Sequence, residues 1–291
     1  MNAFVELMFP PFVACMLLVA IHGYFGLHVI SRGVIFVDLA MAQIAALGAT
    51  TGLLFHGAMT PGHTEWFSFG AVAVGAAVLA LTRTRRQGRV PHEAIIGIVF
   101  VMASAASLLI ADKAPRGSDV VKDILVGSLL WITWPTILKD AIAYAIIGTF
   151  LLLLRRRFET VSFRPAEAEA NRWNLRWWDF WFYLLFGFTV TFSVPIAGVL
   201  LVFSFLVVPA VIAAMYAQRP MAMAAVAWTS GMIACTAGLS VSYALDLPTG
   251  PLVVCMFGAV LSVAAVVRPI LRRARPTVPE AAATAQVAAA D

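Results

Sequence analysis

From Phe180 to Gln218 the chain reads Phe-Trp-Phe-Tyr-Leu-Leu-Phe-Gly-Phe-Thr-Val-Thr-Phe-Ser193-Val194-Pro195-Ile-Ala-Gly198-Val-Leu-Leu-Val-Phe-Ser-Phe-Leu-Val-Val-Pro209-Ala-Val-Ile-Ala-Ala-Met-Tyr-Ala-Gln218, with no charged side chain. About 20 helical residues cross a hydrocarbon core of ~30 Å, so this run is long enough for two passes. Ser193-Val194-Pro195 divides it. A tight hairpin at the outer surface is the preferred reading, and a broken helix lining a pathway is the sharper alternative. Lipid offers backbone N–H and C=O groups no partner, so each pass has to be helical.

Outward from this run the same pattern repeats. Apolar stretches of spanning length lie at about 11–30, 34–55, 66–81, 94–111, 136–154, 177–194, 196–215, 221–245 and 252–267, the third and ninth short. The fold class is therefore an all-α polytopic membrane bundle of about nine transmembrane helices. Composition agrees: 62% of the 291 residues are hydrophobic, 12% are charged and mean hydropathy is +0.91, outside the range of a soluble globular domain. Residues 1–275 read as one transmembrane domain, and the Ala/Pro/Thr-rich 276–291 as a disordered cytoplasmic tail.

Basic residues fix the expected orientation. With the amino terminus outside, all but Lys113, Arg116, Lys122 and Lys139 of the 20 lysines and arginines fall in cytoplasmic segments, a strong positive-inside bias. Nine spans then leave the carboxyl terminus inside. The net charge of +5 reads as topology and contact with anionic lipid. Nucleic acid is excluded as a partner, because the positive charges are scattered among junctions. No basic n-region precedes the first span, which is expected to be retained.

Two segments depart from the simple alternation. Within Asp112–Pro135 the apolar piece Ile124–Trp131 is too short to cross, so it dips in or lies on the surface. In the longest internal loop, Arg155–Arg176, Pro165-Ala-Glu-Ala-Glu-Ala-Asn171 opens with a proline and carries acids in its first turns, the pattern of a short helix. Exposed there, it is either a handle for a soluble partner or a solvated connector.

Several separated blocks, in order, resemble the membrane subunits of ABC importers for zinc, manganese and iron. They are Gly26-Leu27-His28-Val29 with Arg32 and Phe36-Val37-Asp38; Ile96-Gly97-Ile98; Lys113-Ala114-Pro115-Arg116-Gly117 followed by Lys122 to Gly127; Phe163, Pro165, Glu167 and Ala168; Gly198 to Val202 through Val208-Pro209-Ala210; and Leu245-Asp246-Leu247-Pro248-Thr249-Gly250. The likeness runs from about Gly26 to Val267. It implies a type II ABC importer-like permease in the cytoplasmic (inner) membrane, paired as a homodimer, bound to two copies of a cytoplasmic ATP-binding subunit, and supplied by an extracytoplasmic metal-binding protein. It further implies that Phe163, Pro165, Glu167 and Ala168 couple to the ATPase. No cofactor would reside on this chain: the divalent metal is cargo, and ATP belongs to the partner. Independently, the sequence has no G-x-x-x-x-G-K-[ST] phosphate loop, and none of its lysines follows a glycine.

One block departs from the resemblance. Many members carry Ser-His-Ala-x-x-Pro-Gly shortly after the aspartate of the second span. Here the region is Asp38-Leu-Ala-Met-Ala-Gln43-Ile-Ala-Ala-Leu-Gly48, without histidine or proline.

Candidate metal-pathway residues are Asp38, Gln43, Glu93, Asp123, Asp246, His22 and His28. Asp38 leads, because a carboxylate inside a span normally faces protein or water; capping the amino end of its helix is the alternative. Asp38, Ala42, Ala45, Ala49 and Gly52 share one face of small residues, which admits either another helix or a narrow aqueous lane. His22 and His28 are six residues apart and do not share a face. Glu93 either lines the pathway or caps the fourth span, and Asp123 and Asp246 lie in outer segments where Asp246-Leu-Pro-Thr-Gly250 is also a good turn. A secondary carrier would show charge relays or an inverted repeat. A membrane hydrolase would show a motif such as H-E-x-x-H, but His92-Glu93 is followed by Ala94-Ile95-Ile96.

Overall fold

A computed structural model describes residues 2–56, 61–83, 90–113 and 127–274. Ten α-helices run in chain order among these residues: α1 (Asn2–Arg32), α2 (Val37–His56), α3 (Pro61–Leu81), α4 (His92–Lys113), α5 (Trp134–Leu153), α6 (Arg155–Phe163), α7 (Pro165–Ala170), α8 (Leu175–Tyr216), α9 (Pro220–Leu245) and α10 (Thr249–Ala274). A single 3-10 turn, Leu129–Trp131, precedes α5, and no strand occurs among the described residues. Asp123, the whole 276–291 tail and the Ile124–Val126 part of the short apolar piece lie outside them.

Among the described residues eight helices are long and apolar enough to cross a membrane, yet they make nine passes, because α8 is two helices. Phe25 of α1 stacks against Phe182 and Phe186 at centroid distances of 5.6 and 5.2 Å, while its neighbour Gly26 lies against the Leu206 carbonyl and Ala210. Along one straight helix Phe182 and Leu206 would be about 36 Å apart. Both meet α1 at the same level, so α8 doubles back.

The reversal sits at Gly198, with φ 74° and ψ 158°, a conformation almost confined to glycine. It is not at Ser193-Val194-Pro195. Ser193 is still helical, donating to the Thr189 carbonyl at 2.7 Å, and proline can lie within a helix, whereas only glycine supplies this dihedral pair. The carbonyl of Ile196, freed by the break, accepts the Ser128 amide at 2.8 Å.

The two arms of α8 and α1 are the most enclosed elements; α4 and α10 are the least. On one side α2 packs on α3, α4 and α8, and on the other α9 and α10 pack on each other and on α1 and α8. α5 lies against the outer part of α1, where Phe9 meets Trp134 at 5.8 Å. Close approach depends on small residues: Gly48 and Gly52 of α2 receive the backbone of α3 near Ser68 and Thr64. The face Asp38-Ala42-Ala45 is buried in protein, so of the two readings of that face, helix packing is what this conformation shows.

The third and ninth spans are not short. Pro61 opens α3 ahead of Trp66, in keeping with proline's preference for a helix start, and α10 runs past Val267 into its arginines. Arg32, Arg83, His92 and the α6–α7 segment gather at one end of the bundle, the basic end. At the opposite end Glu65 pairs with Lys139 at 2.6 Å. Gly33, at φ 68°, closes α1 with a Schellman motif in which Gly33 N–H donates to the Ile30 carbonyl and Val34 N–H to that of Val29. The tight stop leaves four residues between the end of α1 and the start of α2.

Candidate functional site

Asp38 occupies the first turn of α2 and is 1% exposed, and neither of its oxygens has a hydrogen-bond partner among the described residues. It therefore makes no side-chain cap. That hydrogen bond comes from α4, where Glu93 Oε1 accepts the Phe36 amide at 2.9 Å, just ahead of α2. Glu93 thus caps α2 and not its own helix, which corrects the capping reading of the sequence. Its Oε2 is buried without a partner. Two carboxylates therefore meet the amino end of one helix, where the macrodipole favours negative charge. Gln43 is half-buried farther along α2.

The remaining pathway candidates are scattered. His22 is fully buried on α1, Nδ1 3.1 Å from the Leu18 carbonyl and Nε2 unpartnered. His28 is packed among Tyr24, Phe163 and Phe182, with Nδ1 2.9 Å from Ser162 Oγ. Asp246 is exposed and left-handed, φ 51°, as the carboxyl cap of α9, its amide donating to the Ser242 carbonyl. This is the turn alternative realised. Asp123 lies outside the described residues. Among the described residues no three His, Cys, Asp or Glu side chains cluster as a metal cage.

The internal loop contains the short helix expected at Pro165. Arg164 precedes it in a non-helical conformation, Pro165 takes the first helical position, and Arg164 pairs with exposed Glu167 at 2.9 Å. Ala166, Glu167, Glu169 and Ala170 are exposed, Phe163 and Pro165 are half-buried, and Ala168 is fully buried. Ala168 can seat α7 on the bundle but cannot itself touch a partner. A cavity of 1330 Å³ lies beside α7 at the basic end, bordered by Arg32, Arg83, His92, Glu93 and Asp179.

Three of those residues were not legible as a unit. Arg32 Nη1 donates to Asp179 Oδ1 at 2.6 Å, and Arg83 Nη1 pairs with Asp179 Oδ2. Asp179 lies in Trp177-Trp-Asp-Phe-Trp181, a charge set in an aromatic run at a span's start, and that was the available signal. Trp177 is exposed, and Tyr183, one turn beyond Asp179, is buried with its hydroxyl 3.3 Å from His92 Nε2. Asp140 was also missed: buried in α5 with Oδ2 unpartnered, one turn from Tyr144, whose hydroxyl is 2.7 Å from Ser193 Oγ. An acid inside a span was the cue.

The sequence profile described as "ABC 3 transport family" matches residues 4–268. The chain belongs to the ABC 3 transport family. Its relatives include the "Manganese transport system membrane protein MntB" of Synechocystis sp., 30% identical over 206 residues that cover 70% of this chain and 66% of the relative. Another is a "Probable metal transport system membrane protein" of Chlamydia muridarum, 26% identical over 174 residues, 59% of this chain and 58% of that one. The chain thus spans 66% and 58% of the length of these two, less than two thirds of each. Among solved structures, "PsaBC from Streptococcus pneumoniae in complex with Fab" superposes with a TM-score of 0.73 over 91% of this chain and 95% of that one, at 18% identity. At that identity the likeness supports the fold alone.

Proposed function

We propose that this chain is the membrane permease of an ABC importer that carries a divalent metal ion, manganese being the first to test, across the cytoplasmic membrane. The observation that carries the reading is α7: a short helix with an acidic exposed face, held at the basic end of a family-matching bundle and seated by buried Ala168. Such a projection suits docking by a soluble subunit, and a chain with no phosphate loop needs one for uphill transport.

In this reading two copies pair in the membrane, each basic end faces the cytoplasm and binds an ATPase, and an extracytoplasmic protein delivers the ion at the opposite end. The amino terminus is outside and the carboxyl terminus inside. Rocking of the pair alternates access. Asp38 and Glu93, carboxylates at one helix start, supply the hard oxygen donors that manganese or ferrous iron accepts. Transient passage requires weak holding, so scattered donors suffice.

The test is reconstitution of the permease with its ATPase and binding protein in liposomes. Manganese accumulation should require ATP, and Glu167→Arg should reduce co-purification of the ATPase while the protein still inserts. Accumulation against a gradient by the permease alone, without nucleotide, would overturn the importer reading in favour of a secondary carrier.

A further inference from the structure

Asp179 lies in the second turn of α8 with its side chain only 3% exposed, and it is held from two sides. Arg32, the last residue of α1, donates to one oxygen and is itself 7% exposed; Arg83, just past α3, pairs with the other. The ends of three spanning helices are therefore tied at one carboxylate. Arg32 also reaches back toward the loop, its Nε donating to Ser162 Oγ at 2.9 Å, and the same hydroxyl meets His28 Nδ1 at 2.9 Å.

Ser162 and Phe163 are the last residues of α6, directly before α7. Phe163 packs on His28 with centroids 5.3 Å apart, and the Arg32 guanidinium lies 3.9 Å over the Phe182 ring. The segment leading into α7 thus grips α1 twice, by a shared hydroxyl and by ring packing, and α1 grips α8 through Asp179. A buried ion pair is a poor choice if stability alone is required, since apolar replacements of similar volume often do as well. It is directional, however, and its geometry breaks discretely where an apolar contact would slide.

We propose that Asp179, with Arg32 and Ser162, is the joint through which movement of α7 is transmitted to α1, α3 and the inner arm of α8. These are positioning residues: none needs to touch the ion. The proposal rests on the importer reading above, in which α7 is the element moved by the ATPase.

The experiment measures two quantities on one reconstituted complex of permease, ATPase and binding protein: manganese accumulated and ATP hydrolysed. For Asp179→Asn and for Ser162→Ala, ATPase co-purification and hydrolysis should persist, while manganese moved per ATP falls by about fivefold, within the range of coupling changes seen for such networks. Asp179→Glu, which keeps the charge, should recover most of the ratio. A purely structural role would lower complex yield and both activities together, leaving the ratio unchanged, and that result overturns the joint. If Asp179→Asn does not accumulate, Ser162→Ala decides alone, because it removes one hydroxyl and leaves the ion pairs in place. A wild-type complex without ATP-dependent uptake would instead overturn the importer reading, and the joint with it.

Discussion

Asp38→Ala should make the protein more stable and less useful. A carboxylate costs about 2.5–3.5 kcal/mol at a helix centre on insertion scales and less toward a helix end such as that of Asp38, which is buried with neither oxygen partnered. Its place in the first turn of α2 returns about 0.3–1 kcal/mol through the helix dipole. Removing it leaves a void of ~20 Å³, about 0.5 kcal/mol at ~24 cal/mol per Å³. The balance favours the alanine variant by about 1 kcal/mol, which at ~2–4 °C per kcal/mol for a chain of this size is a rise of a few degrees in unfolding temperature.

The assay is thermal unfolding of purified protein in detergent at one fixed scan rate, paired with ATP-driven manganese uptake by the reconstituted complex. Uptake should fall steeply for both Asp38→Ala and the volume-preserving Asp38→Asn. Glu93→Ala is the contrast: it removes the hydrogen bond that Phe36 N–H donates and should cost about 1 kcal/mol, as lost caps do. An alanine variant at position 38 that melts lower than wild type and still transports would mean that Asp38 is the structural cap and that the pathway assignment is wrong.

Gly26 and Gly70 should respond oppositely to alanine. Gly26 abuts the Leu206 carbonyl, so Gly26→Ala forces α1 from α8 and should cost about 1–3 kcal/mol by overpacking, whereas Gly70 has nothing within 4 Å and should gain up to ~1 kcal/mol of helix propensity; equal melting temperatures would refute the packing described. Orientation is checked by impermeant thiol labelling of intact cells in a background where exposed Cys255 is serine. Trp131→Cys should react from outside and Arg172→Cys only after permeabilisation, and the reverse pattern would invert the topology.

The sequence by itself determined the solvent, the number of passes, the helix at Pro165 and the family. Each is a local or additive property: hydrocarbon forces every span to satisfy its own hydrogen bonds, so apolar length counts passes without knowledge of neighbours, and proline followed by acids marks a helix start wherever it lies. What only the tertiary structure decided is which side chains face one another. The fold-back at Gly198 and not at Pro195, the capping of α2 by Glu93 from another helix, the inward turn of Ala168 and the meeting of Arg32, Arg83 and Asp179 all join residues far apart in the chain. No periodicity encodes those pairings, because packing of one helix end against another fixes them, and the same packing placed His28 against Ser162 and Phe163.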